Sequence, residues 1–297
     1  MNLLVTGASG FLSGAVARAA VDRGWTVTGT SRRAPASFPG PVSQPSDLGV
    51  VIARFVPDAV FHGAGPADVS RSVAAPLEDL RANVDPLAEL LEALRKAGSR
   101  ARLVFPSSAA VYGDPAALPM TESSPAAPLS PYGFHKVTAE LVLREYRELH
   151  GLETRALRIF SVFGVAQERQ LLRDLYLRAR SLRGETLLLD GTGNEARDYL
   201  PVAEIAEIVL ALLEAWPEET VINACSGIEV PIRRVAATVL AALGLAEKIA
   251  FSGKNRPGHP SRWRGSTELL ATVRRRAWSE EEILERMAET VRAWAAS

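Results

Sequence analysis

The sequence predicts an α/β protein: a doubly wound parallel sheet with a smaller mixed C-terminal domain. Three observations predict it. Short apolar runs alternate with longer helical patterns up to about residue 165, the first run breaks on a glycine-punctuated turn, and the elements shorten after Val165. Leu3-Leu4-Val5 reads as a strand, and an Ala-rich helix follows from Leu12 to Arg23. Trp25 to Thr30, Asp58 to His62 and Arg102 to Phe105 read as further strands, with a helix from Leu77 to Ala97 before the last. A helix from Pro131 to His150 leads into a strand from Thr154 to Ile159. Strands separated by helices pair in parallel, because a parallel connection needs a crossover of roughly a dozen residues. Their unbroken apolar character suits burial on both faces.

Beyond this half, the pattern predicts a helix near Leu171 to Leu182, a strand at Leu187 to Leu189, a helix after Pro201 and a strand at Val221-Ile222-Asn223. Ser279 followed by Glu280, Glu281 and Glu282 is a cap with an acidic first turn, so a last helix starts there. Between Asp114 and Pro131, prolines at 115, 119, 125, 128 and 131 exclude regular structure and predict a loop wrapping the mouth of the site.

Composition narrows the function. The chain has 297 residues, 47% of them hydrophobic, enough to bury a core without staples. Lys+Arg and Asp+Glu number 34 each, so no basic excess favours a nucleic-acid partner. The Arg-rich stretches from Arg169 to Arg183 and at Arg274-Arg275-Arg276 read as solvated helix faces. A single cysteine, Cys225, excludes an internal disulfide, and the four histidines show no metal-ligand spacing. The short apolar N-terminus and the lack of any long apolar run give no membrane partner and predict a cytoplasmic protein.

Thr6-Gly7-Ala8-Ser9-Gly10-Phe11-Leu12 sits between the first strand and the first helix. Glycines there let backbone N–H groups approach a pyrophosphate at the positive end of the helix dipole. A tight turn without a ligand is the alternative. At the end of the second strand an acidic residue would accept from a ribose 2′-hydroxyl, but the chain has Ser31-Arg32-Arg33. Guanidinium groups match a 2′-phosphate, so NADP is the expected cofactor, with NAD as the alternative. Two exposed arginines on a polar loop would look the same. Asp47, followed by Leu48, lies after an expected third strand and is placed to bond the adenine amino group.

Tyr132 and Lys136 lie four residues apart, on one face of a helix. A free phenol titrates near 10, and a neighbouring ammonium is expected to lower that toward the working range. Such a pair also arises by chance. Upstream, Ser107 and Ser108 end a strand at the carboxyl edge of the sheet, where open α/β sheets bind ligands. Ser108 would share a substrate oxygen with Tyr132.

These motifs, in this order, resemble the extended short-chain dehydrogenase/reductase family and its sugar-nucleotide epimerase/dehydratase group. The similarity runs through the Gly7 turn, His62-Gly63-Ala64-Gly65, Asn83-Val84, Ser107 to Gly113, Tyr132-x-x-x-Lys136, Arg158 to Gly164, Arg197-Asp198-Tyr199, Asn223 and Arg256-Pro257-Gly258. The resemblance implies a Rossmann-type dinucleotide domain over 1–165, with 200–223 returning to it, and a substrate-binding domain over 166–199 and 224–297. It implies Ser108, Tyr132 and Lys136 as the catalytic trio. Gly7, Ser9, Gly10, Phe11, Leu12, Ser31, Arg32, Arg33, Asp47, Leu48, Gly63, Ala64, Gly65, Ser107 and Phe160 would join Tyr132 and Lys136 around the cofactor. Ser108, Ser161, Arg197 and Arg256 would hold the substrate, the arginines on its pyrophosphate. A homodimer joined through the helices at 77–97 and 131–150 is also implied.

Two departures bear on function. The third glycine of the fingerprint is Ser13, and Ala109-Ala110 stand where sugar dehydratases of this group carry Asp and Glu. Alanine transfers no proton, which disfavours dehydration. The leading expectation is therefore NADPH-dependent reduction of a nucleotide-linked keto-sugar. A nucleotide-sugar epimerase is the close rival, and a non-catalytic dinucleotide-sensing module the alternative from another class.

Overall fold

The computed structural model describes residues 1–297 except 34, 36, 183, 247 and 255–259. Arg183 and Arg256, both singled out by the sequence, thus lie outside the described residues. Strand β1 (Asn2–Thr6) leads into helix α1 (Phe11–Asp22), then β2 (Thr26–Thr30), a two-residue β3 (Val42–Ser43), α2 (Leu48–Phe55) and β4 (Ala59–His62). Next come α3 (Val69–Ala74), α4 (Pro76–Lys96), β5 (Arg102–Ser108), α5 (Pro131–His150) and β6 (Thr154–Ile159). The remainder is β7 (Ser161–Phe163), α6 (Leu171–Ser181), β8 (Leu187–Leu189), β9 (Ala196–Pro201), α7 (Val202–Ala215) and β10 (Val221–Ala224), then β11 (Glu229–Pro231), α8 (Ile232–Ala242), β12 (Ile249–Phe251), α9 (Leu270–Val273) and α10 (Glu280–Ala296).

Seven strands form one sheet in the order β10-β6-β5-β4-β1-β2-β3, every neighbour parallel. Strand order reverses between β1 and β4, the place where such sheets open a ligand crevice at their carboxyl ends. Alternation along the strands feeds two cores. Leu3, Val5, Phe61 and Val104 pack with Val16, Ile205 and Val209 on one face. Leu4, Val60, Leu103 and Phe105 pack with Leu87, Leu91 and Leu143 on the other. Each such fully buried side chain contributes about 1.5–3 kcal/mol.

The later elements build a separate core in which Leu172, Leu175 and Tyr176 of α6 meet Val235 and Val239 of α8 and Ile283, Met287 and Trp294 of α10. Small sheets β11-β9-β7 and β12-β8 accompany it. The expected cap at Ser279 is present: its side chain accepts the Glu282 backbone N–H. The 114–131 segment holds no strand or helix before Pro131, and its Met120 makes an isolated bridge to Gly265. Elements that the sequence reading passed over include α3 and β11, six and three residues long, but also the helices α2 and α8, of eight and eleven residues. The shortest of these carry too little periodicity to read. Among the described residues no helix is long and apolar enough to cross a membrane, and no cluster of metal-ligating side chains occurs.

Candidate active site

Gly7 turns the chain out of β1 with φ at +64°. A Cβ there would lie 2.7 Å from the backbone of Ala64, so only glycine lets the β1 turn nest against the end of β4. Gly10 then caps α1 without any side-chain hydrogen bond, and no acid stands in the first turn. The orphan N–H groups of α1 are left facing the crevice, at the positive end of the dipole. This geometry fits the phosphates of a dinucleotide. The loop after β2 closes one side: the Ala8 N–H bonds the Thr30 carbonyl, and the Ser31 hydroxyl donates to Ser9 Oγ at 3.1 Å. Arg32 and Arg33 are exposed beside it, and no acid follows the strand. On the other side Thr6 Oγ1 meets His62 Nδ1 at 2.9 Å and accepts the Ala64 N–H, which clips β1 to β4 at the switch point.

Tyr132, Lys136 and Ser108 come together at the carboxyl rim. Pro131 opens α5, Ser130 Oγ accepts the Gly133 N–H, and Ser72 Oγ of α3 accepts the N–H of Tyr132 itself. Two orphan donors of the helix are thus satisfied beside the phenol, which fixes where the ring sits. Burial pushes the Tyr132 phenol up to about 12; a hydrogen bond with Ser108 pulls it down, and the charge of Asp79 pushes it further up. Here the expectation from sequence is corrected. The Lys136 ammonium donates to the Pro106 carbonyl at 3.0 Å and lies 4.5 Å over the Phe105 ring and 5.6 Å from the Tyr132 ring. In this arrangement burial, not the lysine, dominates the phenol. Burial also lowers Lys136 to about 8, against the opposing charges of Asp79 and then Glu140.

Behind the trio runs a polar network that the sequence reading did not assemble. Glu140, one turn beyond Lys136, takes Arg158 of β6 bidentately at 3.0 and 2.7 Å and accepts the Ser107 hydroxyl. Arg158 also donates to the Tyr112 hydroxyl, which donates to Asn223 Oδ1. Reading α5 in steps of four (132, 136, 140) was the available signal, but nothing local names Arg158 as its partner. Ser107, expected at the cofactor, gives its hydroxyl to this network.

The remaining expected residues are spread more widely. Phe11 and Leu12 open α1, and Gly63, Ala64 and Gly65 follow β4, with Gly63 and Ala64 against the Gly7 turn. Asp47 is exposed in a single 3-10 turn, with Leu48 starting α2. Phe160 is buried beside Tyr112 and Trp263, and Ser161 begins β7. Arg197 lies on β9 with its guanidinium bonded to the carbonyls of Ala196, Pro260 and Ser261 and stacked over Trp263. Asp198 beside it accepts from the Ser226, Gly227 and Gly265 N–H groups and from the Ser226 hydroxyl. Trp263 Nε1 donates to Gly113, and Asp114 accepts from Ser261, so the 260–263 segment is stitched to the loop that leaves β5.

A parallel seven-stranded sheet, an open glycine cradle and a Ser-Tyr-Lys rim define a dinucleotide-dependent enzyme of the extended short-chain dehydrogenase type. The chain belongs to the NAD-dependent epimerase/dehydratase family, whose model matches residues 3–225. The UDP-glucose 4-epimerase of Azospirillum brasilense is 32% identical over 287 residues, covering 87% of this chain and 82% of that protein. The UDP-glucose 4-epimerase of Thermus thermophilus, solved with NAD, has a TM-score of 0.85 at 28% identity, covering 98% of this chain and 99% of that one. A UDP-N-acetylglucosamine 4-epimerase from Methanobrevibacter ruminantium, in complex with UDP-N-acetylmuramic acid, reaches 0.88 at 27%, covering 99% and 98%.

Proposed function

We propose that the protein is a nucleotide-sugar 4-epimerase, inverting one hydroxyl-bearing carbon with a retained nicotinamide dinucleotide. The sequence alone ranked keto-sugar reduction first; the relatives, UDP-glucose 4-epimerases at 29–32% identity, weigh toward epimerisation and the proposal follows them. The observation that carries it is the Ser108–Tyr132 pair: one buried phenol in hydrogen-bonding reach of one hydroxyl, flanked by Ala109 and Ala110. Positions 109 and 110 therefore supply no acid to expel water, which suits removal and return of hydrogen at the same carbon.

The bound dinucleotide supplies the hydride acceptor and donor. The chain supplies the rest. Ser108 holds the sugar oxygen, and Tyr132 takes its proton and later gives one back, a contribution of about 10² to 10⁴ in rate. A phenol pushed up to about 12 by burial is protonated at neutral pH, so its basic role needs positive charge close by; Lys136, 5.6 Å from the ring, is the nearest lysine, and its charge would have to act together with the bound dinucleotide to overcome that burial. Residues 1–165 with 200–223 are read as the cofactor half, and 166–199 with 224–297 as the half that holds the nucleotide, using Arg197 and Arg256, with Ser161 reaching the substrate from the cofactor half.

One observation favours NADP(H) and with it the reductase as second reading: Arg32 and Arg33 follow β2 with no acid beside them. The structure of RMD from Pseudomonas aeruginosa complexed with NADPH has a TM-score of 0.82 at 25% identity. The test is incubation with UDP-glucose and UDP-N-acetylglucosamine, followed by proton NMR of the sugar. Appearance of the 4-epimer without net consumption of cofactor supports the epimerase. Stoichiometric NADPH oxidation with a nucleotide-linked keto-sugar, and no inversion, supports the reductase.

A further inference from the structure

Asp79 of α4 is a carboxylate only 3% exposed, and it is placed against the catalytic turn of α5. Its Oδ2 lies 2.6 Å from Nδ1 of His135, the residue between the catalytic pair that directly precedes Lys136. Its Oδ1 is buried without a hydrogen-bond partner. A buried carboxylate with one oxygen unpartnered carries an uncompensated desolvation cost, so packing alone gives little reason for it. Deepening the epimerase reading, on which its functional meaning rests, we propose that Asp79 is a positioning residue of the active site. Its buried carboxylate, held by His135, is the charge that keeps Lys136 an ammonium beside Tyr132.

The groups facing Lys136 make the case. The β5 strand offers the Pro106 carbonyl and the Phe105 ring, which are neutral. The β4 strand offers His62, held neutral by burial, its value lowered to about 3. On α5 itself Tyr132 is neutral, and Glu140 is committed to Arg158 of β6 in a bidentate pair. From α4 comes Asp79, whose hydrogen-bond partner is the His135 imidazole rather than a guanidinium or an ammonium. Burial works to strip the proton from Lys136, and Asp79 is the largest influence opposing it. The same carboxylate disfavours the Tyr132 phenolate. It therefore shifts both groups upward together.

The chain has four lysines, at 96, 136, 248 and 254, so ¹³C-lysine-labelled protein gives a readable NMR titration, with Lys136→Met assigning the signal. Asp79→Asn keeps the shape and a bond to His135 but removes the charge; the Lys136 midpoint is expected to fall by about one pH unit. His135→Gln leaves the charge in place, and the midpoint is expected not to fall. The alkaline limb of the pH profile of kcat/KM follows the same order. An unmoved midpoint in folded Asp79→Asn, or an equal fall in both variants, overturns the proposal, because a packing role does not depend on the sign of the change. If Asp79→Asn does not fold, His135→Arg sets a fixed cation on the same carboxylate and must lower the midpoint; an unmoved midpoint there overturns it equally. The titration reads Lys136 without substrate, so its failure leaves the epimerase reading standing, and absence of epimerase activity leaves the titration intact.

Discussion

The hydroxyl of Ser13 stands where a methyl group on residue 63 would have to go: a Cβ built on Gly63 would lie 2.1 Å from Ser13 Oγ. Ser13 occupies the place of the fingerprint's third glycine, and its hydroxyl reaches back to the Thr6 carbonyl at 3.3 Å. The Ser13 hydroxyl thus fills the space left by the missing side chain of Gly63, just after β4. Gly63→Ala is expected to destabilise the fold by about 2–3 kcal/mol through overpacking. Ser13→Gly with Gly63→Ala is expected to regain part of that, because the 2.1 Å clash is removed while Phe61 and the Thr6 carbonyl remain close at 3.1 and 3.2 Å. Equilibrium denaturation of the two single variants and the double variant measures the coupling. Additive effects would show that the two positions are independent.

His62 predicts an acid limit to stability. Burial, and then the charge of Lys136, lower it from 6.5 to about 3. A histidine whose folded value is depressed contributes stability that is complete above 6.5 and lost as pH falls toward 3, since the unfolded chain takes up the proton first. One such proton gives a slope of at most about 1.4 kcal/mol per pH unit. His62→Asn keeps an acceptor for Thr6 and removes the titration. Denaturation midpoints between pH 6 and 4 should fall more steeply in the native protein than in this variant, and parallel curves would contradict the assignment.

Breaking the Glu140–Arg158 pair should be costly. The two side chains are 12% and 10% exposed, so Glu140→Ala leaves a guanidinium buried without its carboxylate. The expected loss is about 3–5 kcal/mol. Glu140→Gln retains an acceptor for Ser107 and should lose less. Chemical denaturation separates the two; equal, small losses would mean that water or Tyr112 compensates Arg158.

Leu77, Phe134 and Leu141 are more than half exposed on α4 and α5. Apolar side chains left open on adjacent helices support the expected homodimer. Leu141→Asp should convert a dimer to a monomer in light scattering, with the secondary structure unchanged. A monomer in the unaltered protein would remove this expectation.

The sheet was legible because its strands are continuous apolar runs with glycine at the first turn, and the α5 pair because Tyr132 and Lys136 share a face at a fixed spacing. Legibility stopped where meaning depends on contacts far along the chain. His135 meets Asp79 and Ser72 meets the N–H of Tyr132 across 56 and 60 residues, and Arg158 reaches back to Glu140 from the next strand. The acidity of Tyr132 was misjudged for the same reason: a neighbouring lysine is visible in sequence, whereas the burial that outweighs it is not.

The central claim is that one phenol and one retained dinucleotide remove and restore hydrogen at a single carbon. The direct measurement uses UDP-glucose deuterated at C4, with the native protein and with Tyr132→Phe. The native protein should form the 4-epimer with the deuterium still at C4, and Tyr132→Phe should do so about 10² to 10⁴ times more slowly while folding normally. Loss of the label to solvent or to free cofactor, or inversion at an undiminished rate without the phenol, would contradict the account.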